Sequence, residues 1–112
     1  VLGARSMRIR DHWLTTLAPE ASIEVLCAWV DEAPGQVEPL LARALLAEHL
    51  GWQARGRAGA EAVSREGWER LHMWMEAAEL DLSVARAMNP EDPLAWALSL
   101  RILLPITTED AT

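Results

Sequence analysis

Ser64–Pro90 reads SREGWERLHMWMEAAELDLSVARAMNP, and its periodicity decides the fold. At about 100° per residue, Trp68, Leu71, Met75, Ala78, Leu82 and Ala85 fall on one apolar stripe of a helix. Met73, Ala77, Leu80, Val84 and Ala87 make a second stripe on roughly the opposite side. Glu69, His72, Glu76, Glu79, Ser83 and Arg86 form a polar ridge between them. Ser64 suits the N-cap, with Glu66 and Glu69 near the positive end of the helix, and Asn89-Pro90 stops it after Met88. A helix that is apolar on two faces has to be covered on both. It lies between neighbouring hairpins, or one of its faces meets another chain.

Outward from this helix, prolines and glycines divide the chain into further helices. Ser6–Leu17 is expected to be a first helix, stopped by Pro19. Ala21–Glu32 reads as a second, ended by Pro34 and Gly35. Val37–Arg55 is a third, with Pro39 in its first turn and the Gly-rich Gly56–Gly59 after it. A fifth starts at Glu91-Asp92-Pro93 and is expected to end at Pro105, leaving 107–112 as a frayed tail. No segment alternates with period two, so no sheet is expected. The expected fold is therefore all-α, one domain over 1–112 built of antiparallel helical hairpins. The chain begins at Val1 rather than Met, which is compatible with a piece of a longer protein.

Composition narrows the function. Ala, Leu, Glu and Arg are the commonest residues, all strong helix formers as Met is too, and six Trp supply the whole aromatic content. A net charge of −7 opposes non-specific binding to nucleic acid or to an anionic membrane, because both require a positive field. Cys27 is the single cysteine, so an intrachain disulfide and a Cys-based zinc site are excluded and a reducing, cytoplasmic setting is expected. No uninterrupted apolar run reaches the roughly 18 residues that span a bilayer.

The run Ala78-x-x-x-Leu82-x-x-Ala85-x-x-x-x-Pro90 has the spacing of the second helix of a tetratricopeptide repeat, and Trp96 falls where the next repeat places its large aromatic. A fainter echo ends at Pro34, with Leu26 in register. With Trp52-x-Ala54-Arg55-Gly56, Val63 and Gly67-Trp68, the chain resembles an uncharacterised bacterial family of tetratricopeptide-like proteins over about residues 25–100. The resemblance implies paired helices held close by alanines and ended by proline, and it implies no activity. Pro34 and Pro90 stand farther apart than the family's usual period of about 34 residues, so the central helices are expected to be elongated.

Chemistry is sparse. Glu69-x-x-His72 is one carboxylate–histidine pair where a di-iron bundle needs two, and His12, His49 and His72 share no ligand spacing. No metal or other cofactor is expected. Cys27 has no histidine near it in sequence, and Ser64 is better used as a cap than as a nucleophile, so no enzyme is expected. Arg55-Gly56-Arg57-Ala58-Gly59 follows a helix rather than a strand and lacks the Gly-Lys-Ser/Thr of a phosphate loop.

The third helix carries the main anomaly. Leu40, Leu41, Ala44, Ala47, Gly51 and Trp52 form its inner face, yet Glu48 and Arg55 project from the same face. Buried charges are costly unless paired. One reading is an inter-helix salt-bridge network that fixes the hairpin. The other is a polar pocket of Glu48, Trp52, Arg55 and Arg57 that receives a peptide or small acidic ligand, which would make the chain a small-molecule or anion-binding regulatory domain. Trp52, Trp68 and Trp96 fall at core-like positions, whereas an exposed Met73–Trp74 patch would mark an interface. The leading expectation is a protein-interaction scaffold that binds a protein or peptide partner, or a second copy of itself.

Overall fold

A computed structural model describes residues 4–57, 59 and 62–109, with side chains described from Met7 to Leu103. The described residues are helical, with no strand: α1 (Ala4–Leu17), a 3-10 turn (Ala18–Glu20), α2 (Ile23–Glu32), α3 (Glu38–Arg55), α4 (Arg65–Met88) and α5 (Pro93–Glu109). The elements form an elongated body of 46 × 26 × 21 Å.

Helix boundaries follow local chemistry. Ser22 and Ser64 cap α2 and α4, their hydroxyls accepting from Val25 N at 3.2 Å and Gly67 N at 3.0 Å. Pro19 ends α1 and sits within the 3-10 turn, and Pro34 follows the last turn of α2. Gly56 ends α3 at φ +85°, a conformation that costs glycine nothing and a Cβ-bearing residue a clash. Asp92 caps α5 by accepting from Leu94 N at 3.1 Å. One boundary departs from expectation. α5 runs through Pro105 to Glu109, because a proline withdraws one N–H from the ladder while the neighbouring bonds can still form. Residues 110–112 of the expected frayed tail lie outside the described residues.

α3 and α4 pair antiparallel. Arg43 meets Asp81, Gly51 faces Leu71, Trp74 and Met75, and the Ala54 carbonyl lies against Gly67. The partner number falls as the α3 number rises. α5 then folds back on α4, with Arg86 bonded to Ser99 and stacked over Trp96.

The core is aliphatic. Leu71, Met75, Ala78, Leu82 and Ala85 of α4 are all buried, as the first stripe requires. Each fully buried Leu or Met contributes on the order of 1.5–3 kcal/mol over its exposed state. The small residues Ala44, Ala78, Ala95 and Gly51 let the axes approach closely. Trp68 only borders this core, and Trp52 and Trp96 are 40% and 51% exposed, so the core-like positions expected for the latter two are corrected. Leucines and alanines already fill the space between helices, and Trp96 instead donates its Nε1 proton to the Pro90 carbonyl at 2.8 Å.

α4 packs between α3 and α5, but the more enclosed helix is α3. From Pro39 to Ala47 every α3 residue except Arg43 is buried, because α4 lies on one flank and α1, the 3-10 turn and α2 lie on the other. The second stripe of α4 stays in solvent: Met73 is 55% exposed, Leu80 70% and Val84 50%.

Three bidentate arginine–carboxylate pairs tie the helices together, Arg10–Asp92, Arg43–Asp81 and Arg101–Glu48. Arg10 of α1 donates to both oxygens of Asp92, at 2.8 and 2.9 Å, and also reaches Asp11 and Glu38. Asp92 is 1% exposed, so its charge depends on this partner. The hydrogen bond to Asp92 raises the Arg10 pKa above the ordinary arginine value, against the opposing effect of burial. The second pair, Arg43–Asp81, lies in the candidate site.

Candidate functional site

α2 and α4 flank α3 and leave a groove between them, floored by α3. One stretch, of about 450 Å³, is lined by residues including Ile23, Cys27, Ala47, Trp74, Leu80 and Val84. A second, of about 320 Å³, shares Val84 and continues past Val30, Leu40 and Met88. Helical spacing explains the walls. Ile23, Cys27, Val30 and Pro34 follow one side of α2, and Trp74, Ala77, Leu80, Val84 and Met88 follow one shoulder of α4. Ala77, Leu80 and Val84 of the second stripe thus belong to the upper wall of the groove.

Arg43 crosses the floor. Its Nε and Nη2 donate to Asp81 Oδ2 and Oδ1 at 2.8 and 2.7 Å, and Nη1 approaches Cys27 Sγ at 3.7 Å. The Asp81 hydrogen bond raises the Arg43 pKa, again against burial, with the Cys27 contact adding a smaller increase. A fork-to-fork pair of this kind holds both planes rigidly and cancels the charge in the floor. The groove therefore presents apolar walls over an electrically neutral base. A smaller apolar cleft, about 240 Å³, lies on the other side of α2, where Trp13, Leu17 and Trp29 meet.

The residues singled out in the sequence fall in three places. Glu48 accepts from Arg101 of α5 through both oxygens, at 2.6 and 2.5 Å. Arg55, two turns farther along α3, has its guanidinium 4.9 Å from the Trp68 ring centre and 5.7 Å from that of Trp52, and it donates to the Gly56 carbonyl at 3.2 Å. These are cation–π distances. Arg57 is exposed in the following loop. Glu48 is thus tied to α5 and Arg55 to two indoles, and they share no partner in the described contacts. Met73 and Trp74 do belong together, Met73 in solvent on top of α4 and Trp74 half-buried in the groove wall. Glu69 pairs with Arg65 at 3.1 Å on the exposed face of α4.

Sequence reasoning missed Arg43, Asp81 and the α2 wall. Arg43 and Asp81 are 38 residues apart and become neighbours only in the hairpin. The α4 wall was visible as the second stripe, although nothing in it indicated which helix would stand opposite. Comparison with family models, with curated proteins and with solved structures gave no match. Among the described residues no helix is long and apolar enough to cross a membrane.

Proposed function

We propose that this chain is a non-catalytic scaffold of the tetratricopeptide-like kind, cytoplasmic, which presents a helical surface to a protein or peptide partner. The observation that carries the reading is the second stripe of α4. Met73, Leu80 and Val84 are at least half exposed along a rigid helix, beside an apolar groove. Scattered apolar residues on a surface are ordinary, whereas an apolar row continuous with a groove is what helix-in-groove recognition uses. The arrangement of Glu48 and Arg55, each engaged elsewhere, gives less support to a pocket for a small acidic ligand.

The test is capture with the purified chain and two variants. Leu80→Ser/Val84→Ser removes apolar surface from the groove wall, and Leu100→Ser removes as much from the exposed face of α5. A partner held by the wild type and by Leu100→Ser, and lost by the double variant, supports the reading. Equal retention by the double variant, or no retained partner at all, refutes it.

A further inference from the structure

We infer that the occupant of the α2–α4 groove is an amphipathic helix of another protein, carrying Lys or Arg beside its apolar stripe. The inference rests on the scaffold reading and adds the chemistry of the partner.

The charge around the groove is one-sided. On α2, Glu24 and Asp31 stand seven residues apart and so share one edge of the helix, about 10.5 Å from each other along its axis. That edge lies just above the side that lines the groove, and Asp31 itself lines it. Across the groove, Glu76 lies on the exposed top of α4, one turn before Leu80. All three are exposed, and no ion pair joins any of them to another described residue. From Asp11 to Ala42 the chain holds Asp11, Glu20, Glu24, Asp31, Glu32 and Glu38 and not one Lys or Arg.

Basic residues are kept away from this rim. Arg43 is cancelled by Asp81. Arg86 is turned toward α5, where it bonds Ser99, and it pairs with Glu79 of its own helix at 2.9 Å. Arg70 lies one turn before Trp74, beyond the end of the groove. An occupant therefore meets apolar walls and a negative border, the complement of a helix with an apolar stripe and basic flanks. The α4 wall from Trp74 to Met88 is about 21 Å long, enough for roughly four turns. A second copy is disfavoured, since it would bring a net charge of −7 against a net charge of −7.

Two synthetic helical peptides of about 16 residues test this, both bearing the same leucine stripe, one flanked by Arg and the other by Glu. Calorimetric titration in low salt should show the Arg peptide binding the wild type and Leu100→Ser, and not Leu80→Ser/Val84→Ser. Glu24→Lys/Asp31→Lys/Glu76→Lys should weaken that binding about tenfold, because each exposed pair contributes modestly and three are reversed. If both peptides bind equally and both are lost in Leu80→Ser/Val84→Ser, the basic character is overturned while the scaffold reading stands. If the Arg peptide binds that double variant as well as the wild type, the groove is not its site and the inference falls. If neither peptide binds, the inference also falls. A dimer in light scattering that dissociates in Leu80→Ser/Val84→Ser would then identify the occupant as a second copy.

Discussion

Replacing Arg10 by methionine should cost this protein more than neutralising its partner. Arg10 joins α1 to the α4–α5 turn by two hydrogen bonds to Asp92, which is 1% exposed. Arg10→Met leaves the carboxylate buried with one backbone donor, Leu94 N. Stranding one member of a buried pair costs about 3–5 kcal/mol. Asp92→Asn leaves no buried charge behind, asparagine still caps α5, and Arg10 keeps Asp11 and Glu38. Its expected cost is about 1.5–3 kcal/mol, the worth of hydrogen bonds to a charged group. For a chain of this size about 4 °C of Tm accompanies each kcal/mol, so Arg10→Met should melt about 12–20 °C lower. Urea unfolding followed by helical circular dichroism measures both variants. The pKa of Arg10 is raised in the fold, so its contribution is complete below the ordinary arginine value and is lost only as the pH climbs through the raised one. The gap between wild type and Arg10→Met should therefore show no loss from guanidinium titration between about pH 7 and about pH 10. A loss under about 1 kcal/mol for Arg10→Met, or a greater loss for Asp92→Asn, would refute the reasoning.

Substitutions at Gly51 and Arg43 probe the hairpin, with Gly35 as a control outside it. Gly51→Val places a branched side chain where a Cβ already meets Met75 Cε and Trp74 Cβ at 3.1 Å, and thermal melting should show a loss of about 2–3 kcal/mol. Gly35→Ala, with nothing within 4 Å, should leave the melt unchanged. Arg43→Leu strands Asp81 in the groove floor and should lose about 2–4 kcal/mol in urea unfolding, with Arg43→Lys intermediate because an ammonium cannot make the fork.

The helical class and most boundaries were legible because caps and breakers act within a few residues. Ser64, Pro34, Gly56 and Pro90 each mark an end that needs no tertiary information. The buried stripe of α4 was legible for the same reason, since helical periodicity fixes which residues share a face. What escaped was the choice of helix to be buried. Two apolar stripes on α4 suggested that both are covered, yet the second stays open between its neighbours α3 and α5, and α3, whose charges at Arg43, Glu48 and Arg55 made it look less apolar, is the more enclosed helix. Arg43 and Glu48 escape the cost of enclosure through Asp81 and Arg101, partners that sequence spacing does not reveal. Tryptophan misled for a related reason. Its size suggests a core position, but a core of leucines and alanines at close helix spacing has no room for Trp52 or Trp96. The candidate site was half legible, because the α4 wall is written in the sequence and the α2 wall follows only from the packing.

Three methionines on α4 offer the most direct measurement of the central claim, that one apolar face of this helix is buried and the other is open. Met73 is 55% exposed and Met88 38%, while Met75, two residues from Met73, is 0% exposed. Mild peroxide treatment followed by peptide mass spectrometry should convert Met73 and Met88 to the sulfoxide at least about tenfold faster than Met75. Equal protection of Met73 and Met75 would contradict the account, since it would mean that the second face is already covered.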